Sequence, residues 1–440
     1  MRLKNLSLRN MRLFGTDEQS IAFATDRNVT VLVGNNGCGK STVLDAVAIQ
    51  ISNFTANFKG QSAKQYTDSD VHFDEQEIYG DFLRVSATFA TTYNGDLEVI
   101  RCRQGRESAP EGVLKNVNSY AEMLVGMVND GSGCNLPIVA YYGTGRGQIK
   151  APVRKRDFQK AFSRWDAYSG ALEADTNFNR FIEWFDLMED TERREREERW
   201  EKGYRNKSLQ AVRTALEKFV GGRFSNPRME LNPLRFVMDE KLPDDKTRQV
   251  RIEQMSDGYK IVTAMVADIA SRMAEANPHM ENPLESSGIV LIDEIDLHLH
   301  PKWQRTIVGN LVKTFPKIQF IVSTHSPILI AGAQEYAQLL VLENQTVRDV
   351  TGTDFSTYDI SQLLLSDLFG LESPRSPEWD EALKRHKDLL MNSKRTADET
   401  KELKELDDKL SVLSYGDTLE QVESRKLILA LAEKLGVKNE

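Results

Sequence analysis

Gly34-Asn35-Asn36-Gly37-Cys38-Gly39-Lys40-Ser41 fits the pattern GxxxxGK[ST] at every fixed position and follows the apolar run Val29-Thr30-Val31-Leu32-Val33. This junction demands strand, glycine-rich turn and helix. Only that order aims backbone N–H groups and the positive end of a helix dipole at one anion. The helix is expected from Ser41 to about Ile51. Asn35, Gly37, Cys38, Gly39, Lys40, Ser41 and Thr42 are the candidate ATP-binding residues, with Lys40 on the β- and γ-phosphates and Ser41 on Mg²⁺. Much later comes Ile289-Val290-Leu291-Ile292-Asp293-Glu294, a buried-strand pattern closing on two carboxylates. Asp293 is placed to bind the metal, directly or through water, and Glu294 to polarise the attacking water. Together the two segments describe a nucleotide hydrolase using ATP and Mg²⁺.

At 440 residues, 40% hydrophobic and 28% charged, the chain can bury cores for two or three cooperating units. No apolar stretch approaches the roughly 20 residues that cross a bilayer, and Met1-Arg2-Leu3-Lys4-Asn5 alternates where a signal peptide would be apolar. A soluble, cytoplasmic protein with no membrane partner is expected. Cys38, Cys102 and Cys134 are far apart and odd in number, as in a reducing compartment. A net charge of −9 argues against nucleic-acid binding over the whole surface and leaves a local basic groove open.

Strands are expected around Leu3, Leu6 and Leu8 and around Ile21-Ala22-Phe23. Residues Asn57 to Glu77 read as polar and partly disordered. Phe82 to Phe89 and Leu97 to Arg101 read as a hairpin joined through Asn94-Gly95, and Leu136 to Tyr142 as a core strand. The region 147–224 reads as a helical insertion. In it, Glu192 stands four before Arg196 and Glu195 four before Arg199, the pattern of a solvated helix. The basic set Arg146, Lys150, Arg154, Lys155, Arg156, Lys160 and Arg164 is a nucleic-acid candidate, weighed against a solvated or nucleotide-facing loop because no aromatics interleave. Trp165, Phe178, Phe181, Trp184 and Phe185 read as packing residues.

Gln254-Met255-Ser256-Asp257-Gly258-Tyr259-Lys260 precedes a helical pattern and puts Ser256 and the Gly258 backbone at a helix N-terminus, a second anion site. A chain with both elements can close ATP between two subunits. The arrangement resembles the ABC-type ATPase heads of the SMC, RecF and OLD-like group, with Met255 to Tyr259 standing at the signature motif. The implied fold is an α/β P-loop NTPase: an ABC/SMC-like head with an antiparallel β subdomain, a helical insertion and a helical C-terminal tail. Its segments would be lobe I (1–146), the insertion (147–224), lobe II (225–350) and the tail (351–440). The resemblance also implies that His325, in Thr324-His325-Ser326-Pro327, senses the γ-phosphate, and that Arg12, in Asn10-Met11-Arg12-Leu13-Phe14, contacts nucleotide. Gln65 and Asp70 are alternatives for the metal-linked residue between lobes. His298 and His300 fit the loop after the catalytic glutamate better than half a zinc site.

Asp257 replaces the first of the paired signature glycines, which disfavours a transporter, and long heptad arms are absent from the sequence. Leu136 to Arg146 and the histidine-rich loop look most like the Septu-type antiphage ATPases, including those attached to retrons. That likeness implies self-assembly into an even-numbered multimer and control of a separately encoded nuclease, often of the HNH type, with DNA or retron nucleic acid as a possible further partner. A DNA-stimulated repair ATPase of RecF type and a nucleotide-locked scaffold are the alternatives. OLD-family proteins carry a nuclease after the ATPase. Here Glu381 to Met391 and Asp398 to Leu413 are helical and charge-alternating, with Asp407-Asp408 inside, so no nuclease site is expected.

Overall fold

The computed structural model describes residues 1–73, 81–147, 163–174, 178–220, 222–230, 234–355, 357–371, 373, 375–392 and 395–410. Contacts divide the chain into Met1–Thr353 and Asp354–Glu440. In the first unit, β1 (Arg2–Arg9) buries Leu3, Leu6 and Leu8 on one face. Strict alternation would not allow that spacing. A register shift against β4 between Leu3 and Asn5 supplies the missing half-period. β2 (Gln19–Ala22), β4 (Phe82–Ala90) and β5 (Asp96–Gln104) complete an antiparallel sheet in the order β2-β1-β4-β5.

β3 (Val29–Val33) leads into α1 (Lys40–Thr55), and α2 (Lys115–Asn129) precedes β6 (Ile138–Tyr142). α3 (Asn179–Glu198) and α4 (Lys207–Phe219) follow, then a three-stranded sheet of β7 (Phe224–Glu230), β8 (Arg235–Lys241) and β9 (Thr247–Arg251). After α5 (Asp257–Ala276) come β10 (Gly288–Ile292), α6 (Pro301–Gln304), α7 (Ile307–Thr314), β11 (Ile318–Thr324), α8 (Pro327–Ala333), β12 (Ala337–Glu343) and β13 (Thr346–Asp349). The central sheet runs β13-β12-β3-β11-β10-β6 and is parallel except for β13. β3, β6, β10 and β11 are buried along their whole length, which is why they read as unbroken apolar runs.

Two readings of polar text need correction. Part of the stretch from Asn57 is well tied down: Tyr66 and Asp70 are buried, and Asp70 closes a 3-10 turn by accepting from Thr67. Residues 74–77 lie outside the described residues. Nor is α3 simply solvated. α4 folds back along it, so Glu192 is 3% exposed and accepts from Arg196, Arg213 and the Asn206 amide at 3.1, 2.9 and 2.8 Å. Glu195 accepts from Tyr204 and Asn206. The insertion's aromatics are packing residues: Phe178, Phe181, Trp184 and Phe185 are buried, and Trp165 stacks on Phe58 at 4.5 Å.

α3 and α4 rest on α5, where a charge cluster is sealed in. Asp268 accepts from Tyr142 Oη and Arg272 Nε, each at 2.8 Å, and Arg180 pairs with Asp268 and Glu275. Burial, then the neighbouring Arg272, lowers the Arg180 pKa to about 10. In the second unit, α9 (Ile360–Leu365) is followed by α10 (Pro377–Met391) and α11 (Ala397–Leu410). The last two run antiparallel through Arg385–Glu402, His386–Asp407 and Lys409–Glu378 contacts. Asp407 is thus a helix-pairing residue, while residues 411–413 lie outside the described residues. Replacing Asp268 by Ala would leave two guanidiniums buried without their shared anion. We expect a loss on the order of 3–5 kcal/mol, read as a large drop in melting temperature, with Asp268→Asn milder.

Candidate functional site

α1 starts from a left-handed Gly39 at φ +101, with no side chain capping its first turn. Its leading amides are therefore left for a ligand. A Cβ at Gly39 would lie 3.0 Å from the ring of Phe14, so the N-terminal loop sits directly over this turn. Lys40 is 6% exposed and folds back to donate to the carbonyls of Gly34 and Asn35 at 2.8 and 2.9 Å. Burial lowers its pKa, partly offset by Cys38, Asp293 and Glu294.

Ser41 and Asp293, 252 residues apart in sequence, meet: Ser41 Oγ donates to Asp293 Oδ2 at 2.8 Å. Ser323, on β11 beside β10, donates to the other carboxylate oxygen at 2.5 Å and accepts from the Glu294 amide at 2.7 Å. Thr324 Oγ1 donates to Asp296 at 2.5 Å. A cavity of about 360 Å³ results, walled by Asn36, Gly37, Gly39, Lys40, Ser41 and Thr42 on the loop side and by Asp293, Glu294 and His325 opposite, with Leu13 at its rim. Asn35 and Cys38 belong to the loop but not to this wall. Burial and the nearby Lys40 lower the His325 pKa against the opposing pull of Asp296, Glu294 and Asp293, so the imidazole is neutral at pH 7.

Arg12 also lies off the wall. It holds a positive φ of 49° and bridges Asp45 of α1 (2.6 Å) and Asp70 (2.9 Å). Burial opposes its charge, but these two carboxylates outweigh burial and raise its pKa. Gln65 accepts from Arg101 at 2.5 Å. Neither Gln65 nor Asp70 reaches the cavity wall.

Ser256 and Gly258 are not brought to the cavity either. Ser256 is exposed at the start of α5 and makes no side-chain cap. Gly258 presses on the loop after Glu294, where a Cβ would meet the His298 carbonyl at 2.6 Å. Tyr259 stands among Phe224, Trp303 and Arg223 at 5.1, 4.7 and 5.0 Å. His300 Nδ1 accepts from the Lys302 amide at the start of α6, a structural task.

The basic set is corrected at both described ends. Arg146 is 2% exposed and donates to the carbonyls of Gly143, Asp293 and Glu294. Arg164 donates to the carbonyls of Ala276 and Cys134. Lys150, Arg154, Lys155, Arg156 and Lys160 lie outside the described residues. Sequence reasoning missed Asp45, Tyr141 and Ser323. Tyr141 Oη donates to Asp45 Oδ1 at 2.9 Å. For Tyr141 and Ser323 the available signal was a polar group near the end of an otherwise apolar strand; Asp45, inside α1, offered none.

A family profile described as "AAA domain" matches residues 5–218, and one described as "AAA domain, putative AbiEii toxin, Type IV TA system" matches 142–331. The chain is 26% identical to a retron Ec83 probable ATPase of Escherichia coli, over 92% of this chain and 82% of that one. It is 25% identical to Septu protein PtuA of Bacillus mycoides (strain KBAB4), over 92% of this chain and 49% of PtuA. The two profiles and the retron and Septu relatives fit the ABC/SMC-like ATPase group. A solved Smc head, bound to the C-winged helix domain of ScpA, is similar at TM-score 0.48 and 19% identity, over 80% of this chain and 97% of that one. Among the described residues, no helix of the ATPase is long and apolar enough to cross a membrane.

Two outcomes are expected. By NMR, the His325 imidazole should titrate below its ordinary 6.5, and ATP should move the midpoint upward by adding negative charge beside it. Protonation is disfavoured in the fold, so its contribution to stability is full above pH 6.5 and falls away below. Gly258→Ala should cost about 1–3 kcal/mol, read as a lower melting temperature, because the atom it meets is backbone.

Proposed function

We propose that this ATPase closes ATP and Mg²⁺ between two copies of itself and, through nucleotide state, controls a separately encoded nuclease of the HNH type in antiphage defence. One observation supports the dimer: the chain's own cavity lacks Ser256 and Gly258, while Ser256, at the uncapped start of α5, is exposed. A second copy can offer that helix start to the phosphates. The relatives named as retron ATPase and Septu protein support the defence setting.

The residues fit the nucleotide and the metal. An uncapped helix start, an ammonium, and a hydroxyl 2.8 Å from a carboxylate converge on one cavity. Mg²⁺ bound there would neutralise phosphate charge and orient the phosphates. Ser41 and Asp293 hold it. The loop amides from Asn35 to Gly39, with Lys40 and Thr42, hold the phosphates. Glu294 accepts a proton from the attacking water, and neutral His325 reads the γ-phosphate. Arg12 fixes the rim through Asp45 and Asp70 and turns to nucleotide on closure.

The segments 1–146, 147–224, 225–350 and 351–440 then serve as first lobe, insertion, second lobe and tail. The tail holds no nuclease site, and the protein works in the cytoplasm. Lys40→Ala should weaken ATP binding about 100-fold, or ~2.7 kcal/mol, by calorimetry. Glu294→Gln should keep ATP binding, lower kcat about 10²–10⁴-fold and accumulate an ATP-bound dimer. Native mass spectrometry of the protein purified from its own operon with ATP and Mg²⁺ tests the whole. A nuclease-sized subunit on an even-numbered assembly is expected. A bare monomer whose hydrolysis rises with added DNA would favour a RecF-like repair role instead.

A further inference from the structure

Glu294 has φ +46, a left-handed backbone that costs a residue with a Cβ roughly 1–2 kcal/mol. It holds that shape inside a set of hydrogen bonds to every neighbouring backbone group. The Asp293 amide donates to the Tyr142 carbonyl at 2.8 Å, the Glu294 amide to Ser323 Oγ at 2.7 Å, and the Ile295 amide to the Ser323 carbonyl at 3.0 Å. The carbonyls of Asp293 and Glu294 both accept from Arg146, at 2.5 and 2.6 Å, and the Glu294 carbonyl also accepts from the Leu297 amide at 2.9 Å. Arg146 is itself fastened to its own turn through the Gly143 carbonyl at 2.8 Å.

We infer that Arg146 is a positioning residue for Glu294, its buried guanidinium holding two successive carbonyls and so keeping Glu294 in the left-handed turn that faces the cavity. The chemistry selects arginine. A planar fork reaches two diverging acceptors on one strand end and a third behind it, whereas an ammonium is a single point on a flexible stem. Its charge also lies behind the peptides of Asp293 and Glu294, where it offsets the carboxylates crowded at the cavity. The inference rests on the assignment of Glu294 as the base, but the backbone lock can be measured without turnover.

The test uses the full chain. Arg146→Lys keeps the charge and loses the fork. Hydrogen exchange at the Glu294 and Ile295 amides should speed up at least 10-fold, with Val290 inside β10 unchanged. In ATP hydrolysis kcat should fall at least 10-fold with KM within twofold, and the substitution should cause no further loss in a Glu294→Gln background. Unchanged exchange at those two amides overturns the inference, as does an equal kcat loss in both backgrounds. If the wild type binds ATP without hydrolysing it, the reading of Glu294 as base fails, while the exchange data still decide the lock. Should Arg146→Lys not fold, Arg146→Gln, which can still donate to one of the two carbonyls, takes its place; unchanged exchange at the Glu294 and Ile295 amides in that variant overturns the inference.

Discussion

The pairing of β11 between β3 and β10 is the constraint on which the site depends. Val322 sits level with Val31 on one side and Ile292 on the other, so β3 and β10 end at the same edge of one parallel sheet. Open parallel sheets bind ligands beyond the carboxyl ends of their strands. Here that edge receives the glycine loop from β3, the two carboxylates from β10, and Ser323 and His325 from the end of β11. The Ser41–Asp293 hydrogen bond reports this register directly, since a slip of one residue would move each contributing group by more than 3 Å and turn it to the opposite face.

Around that edge the backbone is unusually left-handed. Asn10, Arg12, Glu294 and His298 all have positive φ without being glycine. Each such residue carries a local cost, repaid by surroundings that leave it no alternative. The Asn10 amide donates to the Gly15 carbonyl and the Arg12 amide to the Asp70 carbonyl, which folds Leu13 and Phe14 over the glycine loop. Glu294 is held from both sides of its peptide. Gly258 packs against the His298 carbonyl, so the start of α5 and the loop after Glu294 are one packed unit. The groups that line the cavity are therefore placed before any ligand arrives, the condition under which fixed dipoles and charges act most strongly.

Much of this was legible in the text of the chain. Buried parallel strands have no solvent face, so β3, β6, β10 and β11 appear as apolar runs, and their ends announce the loop and the carboxylates. Local patterns failed where tertiary contacts reassigned a polar side chain. Glu192 has the spacing of a surface pair, yet α4 closes over it. Arg146 stands among basic residues, yet two of its three partners are carbonyls almost 150 positions away, which no sequence window contains. Asp45, which no motif singles out, is the meeting point of Arg12 and Tyr141. Fold follows from periodicity; the supporting polar shell follows from which elements become neighbours.

α5 shows why that shell matters for movement. Its first residues carry Gly258, its middle carries Asp268, and the residue after its end, Asn277, donates to the Leu136 carbonyl at 3.0 Å, just before β6. Asp268 takes the hydroxyl of Tyr142 at the end of β6, one residue before the turn that leads to Arg146. Arg180 reaches the same helix from α3 through Asp268 and Glu275. Parting the Arg180 or Arg272 contacts with Asp268 would strand a buried charge, which is strongly destabilising. The start of α5, the insertion helix α3 and the strand behind Glu294 are thus joined by buried polar contacts that bypass the glycine loop.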